Sequence, residues 1–329
     1  MITIEKYQSK LANDWDRFVA VSINGTIFQT RNFLSYHIKR SFNDFSLIIK
    51  NNLNIIAVIP AAIIIQGGRK ILLSHPGASY GGIVLNNKLT FEKINEVIQQ
   101  IDAFCVGEKI DSIILINSPN IYYTSFDFSL DYLLHWNNYH EKELYVSHAI
   151  QLNQRGQLKD LLSKRKLRYI NNSKKLQNIT FHNTDQINCF YTLLTKSKKR
   201  FGITPTHSLE ELTVIQNTLP DKIKTIVSKH NGKIIGGMVL FFANQQVCLV
   251  FYNVTSEKYR TTQLAVLQLY YCIQLAKKEG YGFIDFGVSH TPEQTNPLAP
   301  KFSLIQFKEQ FGARGVLRRV YQKNYARSQ

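Results

Sequence analysis

The sequence predicts an α/β protein (α+β in its strand arrangement) built from a tandem pair of similar domains, each a mixed, mostly antiparallel sheet with flanking helices. Two observations predict this fold class. The chain has 329 residues, which exceeds the usual range of a single domain. The first half shows antiparallel strands, a helix and a returning strand, and the second half repeats this order. We therefore predict domains over 1–146 and 147–329.

The strands of the first half are indicated by β-rich runs separated by turn residues. Gly67-Gly68 is the turn before the third run. A helix is expected over "TFEKINEVIQQIDAFCV" (Thr90–Val106), because its apolar residues recur at helical spacing. The expected strands are Ser46–Lys50, Asn54–Gln66, Lys70–Ser74 and Ser112–Asn117.

The second half contains the clearest local signal in the chain, a hairpin at Asn231-Gly232. A helix should follow the third strand of this half, because Leu264, Leu267, Tyr271 and Leu275 form one stripe. Gly280 is a natural residue to end that helix. The other expected elements are strands at Ser147–Leu152, Gln246–Asn253 and Phe283–Phe286, with two or three helices before Leu219.

Positive charge is concentrated in the second half. The net charge is +17, yet residues 1–150 hold 13 basic and 13 acidic residues, so the whole excess lies in 151–329. No acidic residue follows Glu309. Such asymmetry indicates either an anionic partner, such as RNA, a nucleotide, a phospholipid or a phosphorylated substrate, or a solvated basic surface.

Other features of the composition narrow the class of protein. The longest apolar run, Leu53–Ile65, is interrupted by Pro60 and is shorter than the roughly 20 residues that span a bilayer. The N-terminus lacks the pattern of a signal peptide. The four cysteines are scattered, so neither a disulfide framework nor a zinc site is predicted. We expect a cytoplasmic protein, with the inner face of the membrane as a second possible location, no metal and no tightly bound cofactor.

Four segments resemble the double-GNAT acyltransferases and, among them, the Fem-type peptidoglycan aminoacyltransferases. "LLSKRKLRYINNSKK" (Leu161–Lys175) is similar to the basic helix that opens the second domain of that family, and "LLTKSKKRFGITP" (Leu193–Pro205) to its helix ending in Arg before a loop. "YGFIDFG…FKEQFG" (Tyr281–Gly312) is similar to its closing strand and FK-x-x-FG segment. "IPAAIIIQGGRKILLSHPGASYGG" (Ile59–Gly82) is similar to the strand pair and Gly-rich turn of its first domain. The resemblance implies two GNAT-like domains that transfer an acyl or aminoacyl group.

One departure from the family pattern concerns the donor. GNAT domains that bind acyl-CoA place a "Q/R-x-x-G-x-G/A" turn between the third strand and the crossover helix, where backbone N–H groups hold the pyrophosphate. The corresponding "TSEKYRTTQLAV" (Thr255–Val266) has no glycine, although a side chain such as Arg260 would compensate in part. The departure favours the Fem branch, whose donor is aminoacyl-tRNA, over acyl-CoA.

A basic helical face is predicted at the start of the second half. Lys164, Arg168 and Lys175 fall on one face, and Arg165 and Lys166 broaden the patch, with no acid among them. We favour phosphate contact over a merely solvated face.

Two more basic segments are candidates for the same role. By the resemblance, Arg200 at the end of "LLTKSKKR" is a further donor-binding residue. The tail Arg314–Arg327 carries Tyr321 and Tyr325, which are able to stack on bases or to anchor the protein at a membrane surface.

The Gly-rich stretch "HPGASYGG" (His75–Gly82) has two readings. It forms a backbone nest for an anion, with Gly81 in the nest and Tyr80 contacting substrate, or it is a turn that lets two layers pack closely. The second reading is slightly favoured, because Gly-rich turns are common and GxGxxG is absent.

Candidate catalytic residues cluster around "FIDFG". Asp285 lies on a buried strand and needs a partner, which we expect to be Lys308 in a salt bridge that closes a cleft. Asp285 as general base, His290 as proton acceptor and Tyr252 as a hydroxyl near the reacting carbonyl are the catalytic candidates. His75 comes second among the histidines. No sequence pattern indicates a metal site, a G-x-S-x-G hydrolase or a P-loop.

The sequence therefore predicts an enzyme that forms an amide on an amine acceptor, by resemblance a phosphorylated or lipid-linked cell-envelope precursor or a glycan. Such transfer needs positioning and oxyanion donors rather than a covalent intermediate, which explains the lack of a catalytic triad. The alternatives are an N-acyltransferase of the same fold that uses acyl-CoA or an acyl carrier protein, and a non-catalytic protein that binds RNA or a membrane surface.

Overall fold

The computed structural model describes residues 1–38, 40–154, 156–173, 178–184, 187–200, 202–290 and 296–326. The chain divides into two units, of which the first is Met1–Tyr145 with Leu317–Gln329 and the second is Val146–Val316. The C-terminal segment thus belongs to the first unit, whereas the sequence placed it in the second domain. The physical reason is strand pairing, because the last strand of the chain hydrogen-bonds to a strand of the first unit.

The first unit contains two sheets and four helices among its described residues. Its helices are α1 (Ala12–Val21), α2 (Arg31–Leu34), α3 (Phe91–Gly107) and α4 (Ser129–Trp136). Its strands are β1 (Ile2–Lys6), β2 (Asn43–Asp44), β3 (Leu47–Asn51), β4 (Asn54–Ile59), β5 (Ala62–Gln66), β6 (Arg69–Ser74), β7 (Val84–Leu85), β8 (Ser112–Ile116) and the first part of β9 (His140–Gln151). The predicted strands and the predicted helix of this half are therefore confirmed.

Pro60 explains why the predicted strand Asn54–Gln66 is two strands. Proline has no N–H to donate to a ladder, so β4 ends at Ile59 and β5 begins at Ala62. The strands β1, β3, β4 and β7 form one sheet, and β2, β5, β6 and β8 form the other. Helix α3 crosses over between β6 and β8, which are parallel, and buries its apolar stripe in the core.

The second unit follows the same order with a single sheet. Its helices are α5 (Leu158–Leu161), α6 (Lys164–Ser173), α7 (Ile187–Lys199), α8 (Leu209–Thr218), α9 (Leu264–Lys278) and α10 (Phe302–Glu309). Its strands are the second part of β9, β10 (Ile179–Asn183), β11 (Ile223–His230), β12 (Lys233–Phe242), β13 (Val247–Thr255) and β14 (Phe283–Val288). The final strand, β15 (Arg314–Asn324), begins here and ends in the first unit, paired with β8.

The sheet of the second unit has the order β10-β11-β12-β13-β14-β9. Asn231 and Gly232 both have positive φ, as the predicted tight hairpin between β11 and β12 requires. The parallel pair is β13 and β14, and α9 connects them. Helix α9 packs its buried side, including Leu269 and Ile273, on the core and ends before Gly280, whose φ is +86°.

Candidate active site

The two parallel strands of the second unit separate part-way along their length. β13 and β14 pair from Val247↔Phe283 to Leu249↔Asp285, and their described pairing ends there. Beyond that point β13 continues against β12, and β14 continues against β9. The opening exposes strand edges, whose N–H and C=O groups bind an extended ligand well.

A bulge in β13 directs Tyr252 at this opening's level. The register shifts so that Val239 pairs with Tyr252 and Leu240 with Val250, which leaves Phe251 as the extra residue. The Tyr252 hydroxyl accepts a hydrogen bond from the backbone N–H of His207 at 3.3 Å and bonds to Nδ1 of the same residue at 3.1 Å. Burial raises the pKa of Tyr252 to about 12, so the hydroxyl is protonated at neutral pH and acts as a proton donor rather than a base.

His207 was missed by the sequence analysis. It is 2% exposed, and its ring packs against Phe241 and Phe251. No local motif marks it, because its partner Tyr252 is 45 residues away in the sequence.

On the other side of the opening, Lys308 holds the end of β14. Its ammonium donates to the carbonyl oxygens of Gly287 at 2.8 Å and Val288 at 2.7 Å, and to Oγ of Ser289 at 2.9 Å. The Asp285 carboxylate accepts from the backbone N–H of Gly287 at 2.7 Å and is fully buried. Asp285 and Lys308 thus act on the same backbone turn, and the lysine is bound through carbonyl and hydroxyl oxygens of that turn.

A buried histidine extends this cluster. Nδ1 of His148, on β9, lies 2.8 Å from Oγ of Ser289. Burial and the nearby charge of Lys308 lower the pKa of His148, so the ring is neutral at pH 7. Since the serine oxygen accepts from Lys308, its own O–H is available to donate to the ring nitrogen. Ser289 and His148 were not among the sequence candidates, because the contact spans 141 residues.

His290 follows the cluster directly. It forms an isolated β-bridge with Pro300, and the adjacent backbone N–H of Lys301 donates to the Ser289 carbonyl at 2.9 Å. These contacts close the loop that leads to α10. Residues 291–295 of this loop lie outside the described part of the chain.

The basic face of α6 is only partly as predicted. Lys164, Arg165 and Arg168 are exposed, whereas Lys166 is 3% exposed, with its ammonium 4.0 Å from the Phe307 ring centroid and 5.0 Å from that of Phe311. Burial lowers the pKa of Lys166 to about 8. Lys166 therefore belongs to the packing between α6 and the "FKEQFG" segment. Lys175 lies outside the described residues.

Arg200 and Arg260 lie at one corner of the second unit. Nη1 of Arg200 is 3.8 Å from Oε1 of Glu257, and the backbone N–H of Arg260 bonds to the carbonyl of the same residue. Both arginines are exposed. They flank the glycine-free loop before α9, where Gln263 has a φ of +60° and its carbonyl accepts from the N–H groups of Val266 and Leu267.

In the first unit, the Gly-rich turn fills the position next to the parallel strands. The N–H of Gly81 donates to the Ile116 carbonyl at 2.8 Å, and the N–H of Gly82 donates to Oγ of Ser74 at 2.8 Å. A Cβ on Gly81 would lie 2.5 Å from the backbone of Ser74 and His75. These N–H groups are used within the protein, so the packing reading of this turn is the better supported one.

Tyr80 and His75 lie inside this turn. Tyr80 is 1% exposed, its hydroxyl donates to that of Tyr122 at 3.3 Å, and the guanidinium of Arg318 lies 4.5 Å from its ring centroid. Burial lowers the pKa of His75 to about 4, so this ring is neutral. The enclosed Tyr80 is thus part of an aromatic core.

The basic tail is mostly neutralised where the structure describes it. Arg319 pairs with Glu141 at 3.1 Å and Lys323 pairs with Asp102 at 2.6 Å. The hydroxyls of Tyr321 and Tyr325 donate to Asp131 and Asp102, each at 2.8 Å. The prediction that these tyrosines stack on bases or anchor at a membrane is wrong, because their hydroxyls and the neighbouring cations bind acids of the first unit. Arg327 lies outside the described residues.

Comparison with solved structures shows the fold. FemX aligns with a TM-score of 0.73 and 11% identity over 98% of this chain and 97% of that chain. The chain has the Fem-type tandem GNAT fold. L-PGS from Bacillus licheniformis aligns with a TM-score of 0.59 and 14% identity over 98% of this chain and 94% of that chain. A tandem GNAT protein from the clavulanic acid biosynthesis pathway aligns with a TM-score of 0.51 and 8% identity over the full length of both chains.

These identities are low, so the likeness concerns the fold and confirms the predicted fold class. No family model matches the sequence, and no curated protein matches it. Within the described residues no helix is long and apolar enough to cross a membrane. The same residues contain no group of three or more His, Cys, Asp or Glu side chains that could hold a metal ion.

Proposed function

We propose that this protein transfers an acyl or aminoacyl group to an amine and forms an amide at the opening between β13 and β14. The observation that carries the proposal is the opening itself, which has Tyr252 on one strand and the turn held by Lys308 on the other. The tandem GNAT fold supports it, since FemX shares nearly the whole architecture.

The reaction needs one net proton movement. The amine nitrogen attacks the carbonyl carbon of an ester or thioester, the C–N bond forms, and the C–O or C–S bond breaks. The proton lost by the amine is gained by the leaving oxygen or sulfur. The protonated hydroxyl of Tyr252, oriented by His207, is suited to donate to the leaving group and to be restored from the amine.

The second unit is the better candidate for the reaction. In the first unit the place beside β8 is filled by the chain itself, through the bond from Gly81 to Ile116. In the second unit, β13 and β14 continue as separate strands beyond Leu249 and Asp285. The first unit then serves as a scaffold or binds the acceptor.

Aminoacyl-tRNA is the donor that the second unit favours. The loop before α9 has no glycine, and its Gln263 carbonyl already accepts two N–H groups of the helix start, which disfavours a tight pyrophosphate cradle. The exposed cations Lys164, Arg165 and Arg168 on α6 suit a nucleic-acid backbone, and Arg200 and Arg260 add charge beside α9. Acyl-CoA or an acyl carrier protein is the alternative donor.

The acceptor we propose is an amine on a phosphorylated or lipid-linked cell-envelope precursor. Two observations support it: the sequence segments that resemble the Fem-type transferases, and the fold shared with FemX and L-PGS.

The first experiment measures the melting temperature with acetyl-CoA, with uncharged tRNA and with aminoacyl-tRNA. A ligand at 100 times its Kd stabilises by ~2.7 kcal/mol, which shifts the melting temperature by several degrees. We expect a rise with tRNA that is larger for the charged form and that falls with added salt. A rise with acetyl-CoA alone would make this a CoA-dependent enzyme.

Two variants separate binding from chemistry. Arg168→Glu should weaken tRNA binding by about tenfold with the transfer step unchanged, while the control Lys88→Glu, an exposed lysine of the first unit, should change neither. Tyr252→Phe should slow single-turnover transfer of a labelled aminoacyl group to an amine by roughly a hundredfold with tRNA binding unchanged. Unchanged transfer in Tyr252→Phe would remove this residue from the chemistry, and tRNA binding without turnover on any amine would indicate a binding protein.

A further inference from the structure

An open cleft in the first unit is lined by exposed aromatic rings. It lies between the start of α3 and the exposed side of α4 and has a volume of about 570 Å³. Phe91, Tyr132 and Trp136 line it with exposed fractions of 51%, 57% and 66%, and the buried Leu133 also contributes. Large apolar side chains grouped at the surface in this way indicate a binding site. None of these residues belongs to the candidate active site.

Two of the rings form a flat platform. Tyr132 and Trp136 are one turn apart on α4, and their rings are parallel within 11° with centroids 6.5 Å apart. The ring of Phe91 lies 5.9 Å from that of Tyr132 and is tilted by 39°. The platform suits a ligand with an apolar face about as long as two neighbouring rings.

Polar groups complete the lining of the cleft. The side-chain oxygen of Asn95 accepts from Asn137 at 2.8 Å, and Asn137 also donates to the Leu133 carbonyl at 2.8 Å. Because the Asn95 oxygen is the bound atom, its NH2 group is oriented as a donor to another partner. Glu92 supplies acceptor oxygens on the same wall.

The lining argues against other ligand classes. Lys, Arg and His do not occur among the described residues that line the cleft, so a phosphate would meet only the like charge of Glu92. Leu133 is the one aliphatic side chain among them, and it is buried, so an acyl chain would find little aliphatic wall. A ligand with a flat C–H face and a rim of neutral hydroxyls matches both the rings and the polar groups.

We propose that this cleft binds a neutral sugar, with one or two pyranose rings stacked on Tyr132 and Trp136 and hydroxyls bonded to Asn95 and Glu92. The site is separate from the transferase proposal and does not depend on it. It gives the first unit a binding role of its own, as a site that holds a glycan.

Tryptophan fluorescence tests the proposal directly. The chain has two tryptophans, of which Trp15 is fully buried and Trp136 is exposed, so quenching by acrylamide reports on Trp136. The probes are maltose, cellobiose and N,N′-diacetylchitobiose. At about 10 mM, a sugar with a Kd of about 1 mM would occupy most sites and should shield Trp136 from acrylamide. No shielding by any of the three sugars would overturn the proposal.

Variants assign the response to the cleft. Calorimetric affinity for the sugar that binds should fall at least about tenfold in Trp136→Ala and in Asn95→Ala, both of which change partly exposed side chains. The matched control is Phe126→Ala, an aromatic residue that is 91% exposed and is not among the cleft residues. It should bind the sugar as the wild type does. Shielding by phosphatidylcholine vesicles that depends on Phe126, or by choline without any sugar response, would overturn the proposal in favour of a lipid surface or an organic cation.

Discussion

Replacing Lys308 by methionine removes the charge that holds the end of β14. The lysine is 5% exposed, and its three hydrogen bonds, of 2.7 to 2.9 Å, go to two backbone carbonyls and the hydroxyl of Ser289. Methionine keeps the length and apolar character of the stem but offers no donor. The carbonyls of Gly287 and Val288 would then lose this partner in the interior of the unit.

The expected loss of stability follows from these contacts. Leaving a buried acceptor unsatisfied costs about 1–3 kcal/mol, and two carbonyls are affected. Part of this cost is offset, because the buried ammonium no longer has to be desolvated. We therefore expect the second unit to lose about 3 kcal/mol and the amides of β14 to exchange with solvent roughly a hundredfold faster.

Hydrogen exchange read by mass spectrometry is the appropriate assay. Both tryptophans lie in the first unit, so tryptophan fluorescence does not follow the second. The control is Lys301→Met, which removes an exposed lysine just before α10 and should leave exchange of β14 unchanged. Exchange of β14 in Lys308→Met within about twofold of the wild type would refute the argument that this lysine holds the strand end.

Two further predictions concern packing and pH. Gly81→Ala should destabilise the first unit by about 2 kcal/mol or more in urea unfolding followed by tryptophan fluorescence, because its Cβ would lie 2.5 Å from backbone; Gly107→Ala, with nothing within 4 Å, should be neutral or slightly stabilising, and equal effects would contradict the close-packing argument. The pKa of Lys166 falls from 10.5 to about 8 on folding, so the unfolded chain binds more protons between these values and Lys166 makes stability rise with pH across that range. Lys166→Met should remove that part of the rise in unfolding titrations of the second unit from pH 8 to 10.5, and an unchanged slope would show that the lysine titrates normally.

Local signals in the sequence were sufficient for most secondary structure and for the fold class. The hairpin at Asn231-Gly232 depends on two residues that tolerate positive φ, and the helix α3 depends on an apolar stripe with Thr90 as its N-cap. Such features act within a few residues, so a single sequence reveals them. The order of these elements, together with four short segments, led to the Fem-type tandem GNAT fold that the comparisons confirm.

The placement of charges could not be predicted in the same way. Lys166, Arg319 and Lys323 appear in the sequence as members of two basic patches, but the first packs on Phe307 and Phe311 and the other two pair with acids of the first unit. Their partners lie far away along the chain, and no periodicity of the sequence encodes such contacts.

The sequence by itself therefore determined the elements, their duplicated order and the glycine-free loop before α9. Tertiary structure alone decided where β13 and β14 part, that Tyr252 meets His207, and that Lys308 and His148 converge on Ser289. The reason is physical: burial and hydrogen bonding between distant segments set the protonation state and the partners of each side chain, and these exist only once the sheet has formed.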